Sequence, residues 1–144
     1  MSDSRDTPHL RQQDPVGWII PERGEDGLRA VVRAFYRRIP TDDLLGPMYP
    51  AEDLAGAEQR LADFLVERCG GEPYFTRERG HPRLRMRHAR FAIDEAARDR
   101  WLRLMREAIA EVGREAPELR VDEEMVSALD SFLEHVADFL RNRA

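Results

Sequence analysis

His88, Tyr36, Tyr49 and Trp101 are the residues of this chain whose types and spacing could do chemistry. His88 closes the run Arg79-Gly80-His81-Pro82-Arg83-Leu84-Arg85-Met86-Arg87-His88, which reads as a short helix opened by Pro82 and crowded with arginines. Tyr36, Tyr49 and Trp101 lie on the segments before and after it, among apolar positions. An imidazole facing three hydrogen-bond donors across an apolar space, with cations at the edge, suits an iron porphyrin. Haem needs an axial ligand, a polar lid over bound ligand, and partners for two propionates.

Plainer readings stand beside this one. A lone histidine in a helical protein is more often a satisfied structural residue than a ligand. Leu84, Met86 and Phe91 offer His88 an apolar surround, yet Arg79, Arg83, Arg85 and Arg87 are an odd set beside a core histidine unless an anion is near. Arginine's planar fork pairs well with carboxylates. The arginines between Arg77 and Arg90 face only one acid, Glu78, and would also serve a nucleic-acid patch. No aromatic stacking platform is interleaved, so nucleic acid is not an expected partner. Tyr36 sits where Phe would satisfy packing, and its buried hydroxyl would cost about 1–3 kcal/mol without a partner. A bond to a backbone carbonyl is the simplest solution, and the same holds for the Trp101 indole. Convergence of all three donors on one space is the sharper expectation. His9 is expected to be solvated, His81 to cap or bond a loop, and His135 to sit at the surface boundary. Cys69 is expected to be a packing residue.

The elements that must position these groups read as helices. Leu28, Val31, Val32, Phe35, Tyr36 and Ile39 share one face of a helix that starts near Glu25 and ends at Pro40. Thr41-Asp42-Asp43 caps one short turn, and Pro47-Met48-Tyr49-Pro50 is a proline-pinned corner. A second helix is expected from about Glu52 to Arg68, with Leu54, Ala57, Leu61, Phe64 and Leu65 inward, stopped by Gly70-Gly71. A loop of about ten residues should then lead to the His88 segment. Asp94 caps a long helix ending near Gly113, with Trp101, Met105, Ala108, Ile109 and Val112 inward. The last helix, from about Asp122 to Arg141, buries Met125, Leu129, Phe132, Leu133, Val136 and Leu140. No strand signal appears. Residues 1–15 read as a flexible tail and 16–144 as one domain, with Val16 to Pro21 as a clasp on the outside of the core.

The 144 residues can bury a sizeable core, and 42 % hydrophobic content argues against global disorder. All 23 basic residues are arginine, and the formal net charge is -5. The single cysteine excludes an intramolecular disulfide and a cysteine-based zinc or iron–sulfur site within one chain. No membrane span or signal peptide is legible, so the expected setting is the cytoplasm.

The chain resembles the group II truncated haemoglobins from roughly Gly24 to Arg141. The motifs that carry the resemblance are Phe35-Tyr36, Pro47-Met48-Tyr49-Pro50, Asp53-Leu54-Ala55-Gly56-Ala57-Glu58 with Arg60-Leu61 and Phe64-Leu65, Gly70-Gly71, the run Arg79 to His88, and Arg98-Asp99-Arg100-Trp101-Leu102. The resemblance implies an all-α, truncated 2-over-2 globin fold enclosing one haem b. It puts His88 at the proximal iron-ligand position and Tyr36, Tyr49 and Trp101 at the distal donor positions. Ala57 falls where vertebrate globins place a distal histidine, Leu61 and Phe64 fall on the distal wall, and Arg79 falls near the propionates. Met86 is counted with the haem surround. Three departures stand out: Arg23-Gly24 in place of a Gly-Gly pair, Cys69 in place of an aromatic, and Arg90 in place of a proline. The first implies a very short or absent first helix.

The function expected from this reading is binding of O2 and other diatomics (NO, CO) or peroxide at haem iron. Three donors around bound oxygen should slow its release, which favours NO dioxygenase or peroxidase-like work over simple oxygen transport. Either needs an electron donor, not identified by the sequence; a homodimer is also within the expectation. The alternatives are a haem-based sensor acting through a separate partner and a cofactor-free helical interaction protein.

Overall fold

The computed structural model describes residues 13–89 and 91–143, so the expected tail to residue 12, His9 and the departure at Arg90 lie outside it. From Ile19 onward the described residues form, in order, α1 (Ile19–Arg23), α2 (Asp26–Arg38), α3 (Leu54–Arg68), α4 (Tyr74–Arg79), α5 (Leu84–Arg87), α6 (Glu95–Glu115) and α7 (Glu123–Leu140). No strand occurs among the described residues. The fold is all-α. α2 packs against both α6 and α3, and α6 against α7, so two helix pairs cross around one apolar core.

The expected helical faces are the buried ones. Leu28, Val31, Val32, Phe35, Tyr36 and Ile39 are buried from α2, and Met105, Ala108, Ile109 and Val112 from α6. Each long C-terminal helix opens on an aspartate: the Asp94 carboxylate accepts the Ala97 N–H at 2.9 Å, and Asp122 that of Met125 at 3.1 Å. These bonds satisfy amide groups that the helix itself leaves orphaned.

Four details differ from the sequence reading. The loop before His88 contains α4, anchored where Glu67 accepts the Thr76 N–H at 2.9 Å. α6 runs two residues past Gly113. α3 starts at Leu54, after a 3-10 turn over Ala51–Asp53. The ordered contacts also reach back past Val16, because Asp14 pairs with Arg68 at 2.7 Å. The helix that ends at Arg23-Gly24 is short, as its sequence implied: α1 has five residues. The clasp packs at the end of α3, with Val16 and Ile19 fully buried. Gly70 adopts φ +99, and a Cβ there would collide with the Gly17 carbonyl oxygen.

Candidate functional site

α2 presents Tyr36 toward the space between the helix pairs, where its side chain is only 6 % exposed. The chain after α2 has to turn sharply to bring Tyr49 beside it. Asp42 sets that turn: one carboxylate oxygen accepts the N–H groups of Leu44 at 3.1 Å and Leu45 at 2.7 Å, and the other accepts Arg100 Nη1 at 2.8 Å. Burial disfavours the Asp42 charge, but these donors outweigh it and hold the carboxyl below its ordinary range. A 3-10 turn over Gly46–Met48 then delivers Tyr49. Its ring meets Tyr36 edge-on, with centroids 5.7 Å apart. Phe35 meets both Tyr36 and Trp101 edge-on, at 5.1 and 5.8 Å, so the two long helices fix the aromatic cluster.

Tyr36, Tyr49 and Trp101 all line the same cavity, with the two phenol rings in edge-on contact. An indole N–H can only donate, and the polar hydrogens of Tyr36 and Trp101 favour negative charge on the Tyr49 oxygen. Burial pushes the Tyr49 hydroxyl up to about 12, against the opposing effect of the two donors. Burial pushes Tyr36 further still, helped by neighbouring Tyr49. Both phenols are therefore neutral donors near neutral pH.

His88 follows α5 directly. Its Nδ1 lies 2.7 Å from the Leu84 carbonyl oxygen. A carbonyl can only accept, so Nδ1 carries the proton and the neutral ring keeps its lone pair on Nε2. α5 is launched by Arg83 in the left-handed region (φ 47), an unfavourable conformation outside glycine. Two bonds hold that turn: His81 Nδ1 accepts the Arg83 N–H at 3.1 Å, and Arg87 Nε donates to the Pro82 carbonyl at 2.6 Å. On the other side of His88, Asn142 donates to the Phe91 carbonyl at 3.0 Å and accepts the Ile93 N–H at 2.9 Å.

Tyr36, Tyr49, Ala57, Leu61, Phe64, Trp101 and His88 all line one cavity of about 480 Å³. Phe75, Leu84, Phe91, Leu133, Val136 and Leu140 complete its apolar wall. Two residues expected at the site do not line it. Met86 projects outward and is 63 % exposed, because it falls on the solvent side of the four-residue α5. Arg79 turns back to Asp63, with Nη1 3.1 Å from the carboxylate, and stacks over Phe75. Asp63, on the face of α3 away from the cavity, is the buried charged residue that draws it there.

The cations that do line the cavity are Arg60, Arg87 and Arg98. The sequence reading assigned Arg60 and Arg98 no part in the site. Arg60 was legible in principle: it lies three residues after Ala57 on the same helix, so it shares the face that meets the cavity. It pairs with Asp53, also at the lining, at 2.6 Å. Asn142 gave no sequence signal at all. His135 is exposed, and Cys69 is fully buried with its thiol pushed up to about 12 by burial.

The residues present fit a haem. A mostly apolar cavity of this volume falls in the range of cofactor pockets. The lining brings together an imidazole whose Nδ1 is engaged by the Leu84 carbonyl, phenol and indole donors, and guanidinium groups for carboxylates. Among the described residues no three His, Cys, Asp or Glu side chains gather as a metal-binding group. An iron bound beside His88 would thus have to bring most of its ligands with it, as a porphyrin does.

Comparison with known proteins gives the same direction. The family described as bacterial-like globin matches residues 23–137. The group 2 truncated hemoglobin YjbI of Bacillus subtilis is 40 % identical over 92 residues, which span 64 % of this chain and 69 % of that protein. A plant group 2 truncated hemoglobin from Lotus japonicus is 32 % identical over 74 % of this chain, and only 61 % of its own length is covered. Among solved structures, the hemoglobin of Chloroflexus aurantiacus superposes with a TM-score of 0.78 at 36 % identity, over 87 % of this chain and 98 % of the other. A truncated oxygen-avid haemoglobin from Bacillus subtilis gives 0.73 at 36 % identity, over 85 % and 98 %.

Proposed function

Because the chain belongs to the bacterial-like globin family, whose members bind diatomic ligands at haem iron, we propose that it holds O2 tightly and turns it over rather than delivering it. One observation carries this reading: three hydrogen-bond donors, Tyr36, Tyr49 and Trp101, gather at the lining of the cavity that His88 also lines. The haem supplies reversible ligand binding and one-electron chemistry at iron. His88 Nε2 would hold it, with the ring fixed by the bond between Nδ1 and the Leu84 carbonyl. Tyr36, Tyr49 and Trp101 would offer hydrogen bonds to negative charge on the ligand. These donors are preorganised in a low-dielectric space, where each counts for more than in water. Arg60 and Arg87, both at the lining, would pair with the propionates. Ala57 would leave room for the ligand.

The haem is of the b type in this reading. The only cysteine, Cys69, is buried away from the cavity, and no pair of thiols exists to attach a porphyrin covalently. The relative from Bacillus subtilis is described as oxygen-avid, and the donor set here supports the same property. Slow release would suit NO dioxygenation, for which a separate donor would supply one electron per turnover; peroxide-dependent oxidation would instead draw two electrons from its reducing substrate. A cytoplasmic setting suits an unpaired thiol. Among the described residues no helix is long and apolar enough to cross a membrane.

Absorption spectra of the ferric, ferrous and CO-bound protein, followed by stopped-flow O2 release and NO consumption, test the proposal. A Soret band that shifts with CO, slow O2 release and nitrate formed from NO would support it. Release as fast as in an oxygen-storage globin would overturn it.

A further inference from the structure

The chain is acidic overall, yet the surface beside His88 is not. Arg83, Arg85 and Arg87 are exposed, and none pairs with a carboxylate among the described residues, whereas most of the other arginines do. The same surface carries the two large hydrophobic side chains that stand out to solvent: Met86 at 63 % and Phe139 at 48 % exposure. Arg85 joins them, because it neighbours Met86 in sequence and its guanidinium lies 5.5 Å from the Phe139 ring centroid. Asp138, the acid next to Phe139, is engaged by Arg98 at 2.7 Å and does not neutralise the patch. Arg87 both reaches this surface and lines the cavity, so the patch borders the site itself.

We propose that the face formed by Arg83, Arg85, Met86 and Phe139 is a docking surface for an acidic one-electron carrier of the [2Fe–2S] ferredoxin class. This rests on the haem reading above. An apolar centre ringed by unpaired cations is complementary to an acidic protein and steers its approach. The patch is small, which suits the brief encounters of electron transfer rather than a permanent complex. It is also too small for a membrane: α5 has four residues, and Leu84 turns inward to the cavity, leaving no broad apolar face to lie on lipid. In the encounter the reduced cluster loses one electron and ferric haem iron gains it. No covalent bond forms or breaks.

The test uses the haem-loaded protein and a plant-type [2Fe–2S] ferredoxin. Binding of the oxidised ferredoxin is measured by calorimetry, and reduction of the ferric protein by reduced ferredoxin is followed under CO, with dithionite as a small reductant. Arg85→Glu should weaken ferredoxin binding and slow its electron transfer at least tenfold, and Phe139→Ser should slow it severalfold. Dithionite reduction should stay unchanged in both. Arg114→Glu, on the far end of α6, should behave as wild type, and added salt should erase the difference between wild type and Arg85→Glu. Equal rates in wild type and Arg85→Glu, or an equal loss in Arg114→Glu, would overturn the proposal. So would Arg85-dependent binding to phosphatidylserine vesicles without ferredoxin binding, or self-association that Arg85→Glu abolishes. A protein without a Soret band would count against the haem reading alone, since calorimetry still judges the docking face.

Discussion

The Nδ1 of His88 lies 2.7 Å from the carbonyl oxygen of Leu84, four residues earlier, and that contact decides which ring nitrogen the cavity receives. The proton is held on the backbone side, so Nε2 enters the cavity as a lone pair. His88→Gly should therefore lose haem at least about 100-fold faster than wild type. Added imidazole should restore the Soret band, as read by transfer of haem to an acceptor globin. Unchanged retention in His88→Gly would remove His88 from the proximal role.

Tyr49→Phe removes a phenol donor from the cavity lining. The ligand loses one hydrogen bond. A bond to a charged acceptor is worth about 1.5–3 kcal/mol, so O2 release should quicken by roughly 10- to 100-fold. Tyr36→Phe should have a smaller effect, because Tyr36 is the more deeply buried of the two phenols. Stopped-flow release rates in the two variants check the order.

Burial pushes Tyr49 from 10.0 up to about 12, and Tyr36 rises in the same direction. A phenol whose folded pKa is raised stabilises the fold fully below its unfolded value, and that stability is lost as pH climbs from 10 through the folded value. Urea midpoints should fall between pH 10 and 12. The Tyr36→Phe/Tyr49→Phe double variant should show a shallower fall. Some slope should remain from Cys69, whose thiol burial pushes from 9.0 to about 12.

Asp63 is 4 % exposed and accepts from Gln59 at 3.0 Å and Arg79 at 3.1 Å, tying α3 to the end of α4. Asp63→Asn leaves a guanidinium without its partner. Breaking a fully buried pair costs about 3–5 kcal/mol, and the 20 % exposure of the Arg79 side chain puts the expected loss near the lower end, about 3 kcal/mol. Chemical denaturation measures it. A loss under about 1 kcal/mol would show that water serves Arg79 equally well.

Asn142 accepts the Ile93 N–H at 2.9 Å and so pins the chain just beyond His88. Asn142→Ala should cost about 1–2 kcal/mol and speed amide exchange at Ile93. Exchange measured by NMR should leave the amides of α2 unaffected.

Much of this was legible in the sequence because its signals are local. The 3.6-residue spacing of Leu28 to Ile39, the aspartates before α6 and α7, and Pro40 after α2 each act within a few residues. The α4 helix escaped notice because six residues give too short a period, and its anchor, Glu67, lies nine residues before Thr76. Met86 looked like part of the haem surround only because it sits next to helix residues that face inward. Residues two apart on a helix point about 200° apart, so with Leu84 at the cavity Met86 is in solvent.

By itself the sequence determined the helical class, the order of the elements and the types of group able to serve a haem, since backbone propensity, capping and side-chain chemistry are properties of short stretches. The tertiary structure decided which of those groups meet. Tyr36, Tyr49 and Trp101 come from three segments up to 65 positions apart and meet at one cavity only because α2 crosses α6 and Asp42 bends the chain between them. It also decided that Arg79 is drawn to Asp63 while Arg60 and Arg87 face the cavity. A buried carboxylate competes for the nearest guanidinium, and the winner depends on distances between helices that no stretch of sequence encodes.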